Sequence, residues 1–187
     1  YSANAIGIEG PEITTPPVGM IIDRNTLIGN NYLIAIGMIS GNDLAGHSWE
    51  FTNTHFKKDP TPFPIFSSMN LHSGWNSNIV SNNITLLNAS FSGGANINEI
   101  SFDSARCTTY PTCYYFIKWF LGVNALDGAS PAQNAQVTIR NSSNAIIYSG
   151  LTDSSGYIPT QNLTEYRDQF SVGKTFASPY NVTLVYS

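Results

Sequence analysis

The sequence predicts an all-β protein, and three observations carry the prediction. Short runs rich in Val, Ile, Thr, Tyr and Phe recur along the whole chain, clusters of Gly, Pro, Asn and Ser separate them, and apolar residues at helical spacing are almost absent. In chain order the runs lie at 5–9, 19–22, 32–38, 48–52, 64–69, 83–92, 97–102, 114–123, 135–140, 145–149 and 180–186. One stretch has helical character: in NLTEYRDQF (162–170), Asn162 or Thr164 could cap a single turn, with a loop as the alternative.

Strand spacing divides the chain into two domains, 1–117 and 118–187. The first is Asn-rich and irregular, and its KKDPTPFPIF segment (57–66) is too proline-broken for a central strand. In the second, regular strands are separated by sharp turns. The apolar run YYFIKWFLGVNAL (114–126) straddles the boundary; it reads as a strand covered on both faces that ties the halves together.

From Lys118 onward the order is a strand ending at Asp127-Gly128, the strand QVTIRN, the strand AIIYS, the turn TDSSGY (152–157) and the final strand YNVTLVYS. This order resembles the carboxypeptidase-regulatory or transthyretin-like β-sandwich family, with Asn134 standing where the family usually has Gly. The resemblance implies a module without catalytic residues, used as a spacer, an adhesive surface or a regulatory appendage. It also makes Asp153 a turn residue whose carboxylate accepts backbone hydrogen bonds while Gly156 relieves strain. GMIIDRNTLIGNNYLIAIG (19–37) and SNIVSNNITLLNASFSG (77–93) are similar to the Asn-rich rungs of a β-helix, an architecture that precedes such modules in archaeal surface proteins. No fixed period supports that likeness. A second β-sandwich is therefore the leading expectation for the N-terminal part, and a β-helix is the alternative.

Composition narrows the function classes. Of 187 residues 42% are hydrophobic, enough for a packed core, but only 11% are charged, against about 25% in an average soluble domain. Neutral polar groups take up the difference, with 20 Asn, 21 Ser and 16 Thr. A surface this poor in charge suits a protein covered by neighbours or glycans. The net charge of -4 and the scattered Lys and Arg argue against nucleic-acid binding, and no apolar run approaches a membrane span. The opening Tyr1 suits a processed or excised chain.

Cys107 and Cys113 in CTTYPTC are spaced to close a small disulfide loop, with buried thiols as the alternative; zinc would lack further ligands. A disulfide implies an extracellular setting. Asn-X-Ser/Thr triplets at Asn83, Asn88, Asn141, Asn162 and Asn181 permit glycosylation. The histidines His47, His55 and His72 form no ligand motif, no nucleophile elbow is present, and no pair of acids, Glu50 with Asp59 included, is selected by its context. Asp43 and Asp127 read as turn caps rather than calcium ligands. No catalytic site, metal or cofactor is implied.

Two features could bind a partner. Trp49 and Trp75 could stack on sugars, although core or interface packing is the commoner use of such aromatics. The chain also opens on YSANAIGIEG and closes on YNVTLVYS, two apolar strands without the Lys or Pro that blunts an exposed edge. Either could complete a sheet in a neighbouring copy, giving a head-to-tail polymer, or both could pair within their own fold. The expected function is that of an extracellular, cell-surface structural subunit assembling with itself into a filament, sheath or surface layer. The alternative is a carbohydrate-binding or adhesive module.

Overall fold

A computed structural model describes residues 4–10, 20–29, 32–38, 48–58, 67–71, 83–102 and 114–186. The chain is all-β, with one short 3-10 turn at Ile97–Glu99 among the described residues. It divides into two compact units: Tyr1–Phe116 with Asp168–Lys174, and Ile117–Arg167 with Thr175–Ser187.

In the first unit the strands β1 (Asn4–Gly10), β2 (Met20–Asp23), β3 (Thr26–Gly29), β4 (Tyr32–Met38), β5 (Ser48–Thr52), β6 (His55–Lys58), β7 (Ser67–Leu71), β8 (Asn83–Leu87), β9 (Ser90–Ser92) and β10 (Ile100–Phe102) form three parallel ladders. These are β1–β4–β7–β10, β2–β5–β8 and β3–β6–β9. Each pass of the chain adds one strand to each ladder, which is the arrangement of a β-helix coil. The leading expectation of a second β-sandwich is thereby corrected to its alternative. The physical reason lies in the register: the pairs Asn4–Tyr32, Trp49–Ile84 and Met69–Ile100 join successive passes side by side in one direction, as a hairpin-built sandwich does not.

Side chains that face inward stack on their counterparts one coil away. Leu27, Phe56 and Phe91 are in register, and the Phe56 and Phe91 rings lie 5.2 Å apart and nearly parallel. Phe51 and Phe56 are fully buried with ring centroids 6.2 Å apart, and Leu86 lies in register with Phe51. On β8 all four residues from Ile84 to Leu87 are buried, so that strand is covered on both faces.

The turn between the second and third strand of each coil is two residues long, and its first residue repeats one backbone conformation: Arg24, Asn53 and Asn88 have φ of 54°, 49° and 53°. Asparagine tolerates this left-handed region better than other residues with a Cβ. The repetition lets the turns bond to one another: Asn88 Nδ2 donates to Asn53 Oδ1 at 2.8 Å, and Asn53 Nδ2 donates to Asp23 Oδ1 at 3.0 Å. Backbone bonds run beside this amide row, from Arg24 N to the Thr52 oxygen and from Asn53 N to the Leu87 oxygen. Turn geometry also splits the expected strand 83–92 into β8 and β9 at Asn88.

The second unit has β11 (Tyr114–Leu121), β12 (Leu126–Asp127), β13 (Ser130–Pro131), β14 (Gln136–Arg140), β15 (Ile146–Leu151), β16 (Gln161–Gln169), β17 (Gly173–Phe176) and β18 (Asn181–Val185), with the unit boundary falling inside β11, β16 and β17. β14 pairs antiparallel with both β15 and β18, and β11 neighbours β16 in a second sheet. Val137 and Ile139 of β14 are fully buried and cluster with Ile158 and Leu163, and Leu121, Val123, Tyr148 and Tyr180 pack against them. The helical turn expected at 162–170 is instead strand β16. Leu163 and Tyr166 are its buried residues, and their spacing of three mimics a helical stripe.

Candidate functional site

The turn at 152–157 shows what its acid does. Asp153 Oδ1 accepts from the backbone N–H of Ser155 at 2.8 Å and of Tyr157 at 2.9 Å, which occupies it as a turn cap. Gly156 has φ of 81°, and a Cβ there would run into the Ala125 carbonyl oxygen. That closeness permits the bond from Ala125 N to the Gly156 oxygen at 2.8 Å. Thr152 is buried; its hydroxyl accepts from Ala135 N at 2.9 Å and donates to the Ala132 carbonyl. Asn134, beside it, has φ of 61°, a conformation that asparagine in place of glycine can supply. The segment is a clip between three loops, and Asp153 Oδ1 is committed to the turn.

In the first unit two further polar side chains are also paired with neighbours. His55 bridges Ser90 and Ser92, each hydroxyl 2.8 Å from one ring nitrogen, and Glu50 accepts from the Thr52 hydroxyl at 2.7 Å. Among the described residues no group of three His, Cys, Asp or Glu side chains could hold a metal ion. His47, His72, Asp43, Asp59, Trp75, Cys107 and Cys113 lie outside the described residues. Trp49 sits on β5 in register between Met20 and Ile84.

The five sequon asparagines stand in different settings. Asn83 opens β8, and Thr85, the third residue of its triplet, is buried. Asn88 is exposed with its amide committed to Asn53. Asn141 lies in the turn between β14 and β15, where its Oδ1 accepts from Ser143 N, from the Ser143 hydroxyl and from Ala145 N. Asn162 and Asn181 are exposed residues of β16 and β18.

Both terminal strands have a partner in their own chain, β1 in β4 and β18 in β14, and each is the last strand of its sheet. The two outer strands of the sheet β15–β14–β18 differ in protection. β15 carries a register shift opposite Ile139 and Arg140 and a glycine, Gly150, which Tyr148 overlies. Such a bulge turns an edge away from new pairing. β18 pairs without a shift through five consecutive residues and contains no Gly, Pro or ionised side chain.

Beside β18 lies an open groove lined by Trp119, Leu121, Leu163, Glu165, Tyr180 and Val182. Val182 and Leu184 are paired with the core residues Ile139 and Val137 and so face the same side, yet they are 45% and 43% exposed. On β11, Ile117 is buried while Trp119, two residues on and on the same face, is 39% exposed. The sandwich interior thus remains open along β18. The Trp119 indole N–H donates to Glu165, and the Tyr180 hydroxyl donates to the Thr164 carbonyl at 2.6 Å, so both groove aromatics are held in place. Burial raises the Tyr180 phenol above its ordinary value. Sequence reasoning missed Trp119 as a surface residue because the run around it is apolar apart from Lys118. No protein-family model, curated protein or solved structure matches this chain.

Proposed function

We propose that the protein is an extracellular structural subunit that assembles with itself into a filament, sheath or surface layer, and that its C-terminal unit is a transthyretin-like module. The observation that carries the reading is the uncharged, unbulged outer strand β18 above a groove that leaves interior-facing side chains exposed. Isolated domains blunt such strands. The low charge of the whole chain supports the same reading, since 11% charged residues gives little mutual repulsion between copies. Negative-stain microscopy and sedimentation of the native material test it. Polymers are expected, and a monomer at all concentrations overturns it.

A carbohydrate-binding module is the second reading, and the fixed rings of Trp119 and Tyr180 beside the Glu165 carboxylate favour it. Under that reading Trp119→Ala abolishes binding on a glycan array, and an array without hits removes it.

A further inference from the structure

We propose that β18 is a self-association strand, and that two copies join by antiparallel pairing of Asn181–Val185 about a two-fold axis at Thr183. Two three-stranded sheets then become one sheet of six. This rests on the structural-subunit reading and names one of its contacts.

Three observations single out this strand and this partner. The first is the contrast between the two outer strands of the sheet, where the shift and Gly150 protect β15 and nothing comparable protects β18. The second is charge. β18 has no ionised side chain, so a second copy can lie against it with no like charges opposed, whereas β17 would bring Lys174 near its own copy. The third is the open interior, which leaves Val182 and Leu184 about half exposed while Val137 and Ile139 of the same sheet are fully buried.

The register follows from the pleat. Directly opposed residues of an antiparallel pair point to one face, so a continuous core face requires even-numbered residues to meet even-numbered ones. Of such registers, the one opposing Thr183 to Thr183 engages all five residues of the strand and sets Val182 against Leu184 of the second copy. The partner strand then carries its own Val182 and Leu184 toward the groove lined by Trp119, Leu121 and Leu163. A two-fold contact of this kind closes on itself, so the polymer needs a further, different contact to propagate.

The test uses the full chain with Thr183→Cys. Opposed Cβ atoms in such a pair lie about 4.5 to 5.5 Å apart, close to the reach of a disulfide. Mild oxidation of assembled protein is expected to give a 183–183 disulfide, assigned by peptide mass spectrometry and so distinguished from products of Cys107 and Cys113. Asn181→Cys, far from its own copy in this register, is expected to give none. Thr183→Lys is expected to weaken the dimer at least roughly tenfold in sedimentation, with an equal mixture of Thr183→Lys and Thr183→Glu chains restoring it. Thr183 is exposed, so circular dichroism of both variants should match the parent. Protein that assembles without the 183–183 disulfide, or a dimer indifferent to Thr183→Lys, overturns this contact and leaves the subunit reading standing. A parent protein that stays monomeric overturns both.

Discussion

Asn53 and Asp153 each hold a turn through a side-chain oxygen or amide, and they hold it with different partners. Asn53 reaches the coils before and after its own, donating a hydrogen bond to Asp23 at the end of β2 and accepting one from Asn88, so its stability is shared between coils. Asp153 closes on its own next few residues, and the neighbouring loops are attached by Thr152 and Gly156 instead. The coil is held by repetition along one direction. The C-terminal unit is held by single contacts between loops far apart in sequence. The first arrangement spreads a defect over adjacent coils, and the second concentrates it at one residue.

Substitutions test this contrast. The largest effect is expected from Phe56→Ala, which removes a fully buried ring touching Phe51 and Phe91 and should cost about 4 kcal/mol in urea unfolding. Gly156→Ala comes next, at about 3 kcal/mol, because a Cβ at that positive φ collides with the Ala125 carbonyl. Segment-resolved hydrogen exchange should place the first loss in residues 20–102 and the second in residues 117–167. Loss spread evenly over both segments in both variants would show one cooperative structure and end the contrast.

A smaller pair of changes separates conformation from hydrogen bonding in the coil. Asn53→Gly keeps access to the left-handed backbone and loses the amide bonds, at about 1 kcal/mol, whereas Asn53→Ala loses both, at about 2 kcal/mol. Equal losses would mean that the backbone conformation costs nothing and the amide row alone matters.

The smallest effect belongs to Tyr180. Burial raises its folded-state pKa above the unfolded value of about 10, so its contribution to stability is complete below pH ~10 and is lost as pH rises through the folded value. Stability measured from neutral to alkaline pH should therefore fall more steeply above pH ~10 in the parent than in Tyr180→Phe. Parallel curves would show that the groove side of the C-terminal unit is as wet as its surface.

Much of the fold was legible where a residue type has one strong local reason to be present. The TDSSGY turn is such a case, since its acid, its glycine and their spacing follow from backbone geometry alone. Although β3, β6, β12, β13, β16 and β17 fall outside the runs that the sequence marked as strands, many strand positions were legible for the same reason. The way the N-terminal strands pair was not: the register offset grows from Asn4–Tyr32 to Trp49–Ile84 and shrinks again at Met69–Ile100, so no period survives in the sequence. Asn53 and Asn88 are also two asparagines among 20, and nothing local distinguishes a turn that bonds to other turns from one that does not. Leu163 and Tyr166 misled through their spacing. Of the candidate surface, the apolar ends of the chain could be read directly. The exposed Trp119 could not, because exposure of an interior-facing residue depends on how far the opposite sheet reaches.

The amide row also has a direction. Every link donates its hydrogen bond toward the N-terminal coil, and the row finishes on a carboxylate, Asp23, which when ionised can only accept and whose second oxygen already lies 3.4 Å from the Arg24 guanidinium. Growth by duplication of a coil is therefore chemically asymmetric. A duplicated coil placed after Asn88 needs only one more asparagine at the same turn, while one placed ahead of β2 would meet Arg24 at the equivalent turn position, beside the Asp23 carboxylate, where the pattern calls for an amide.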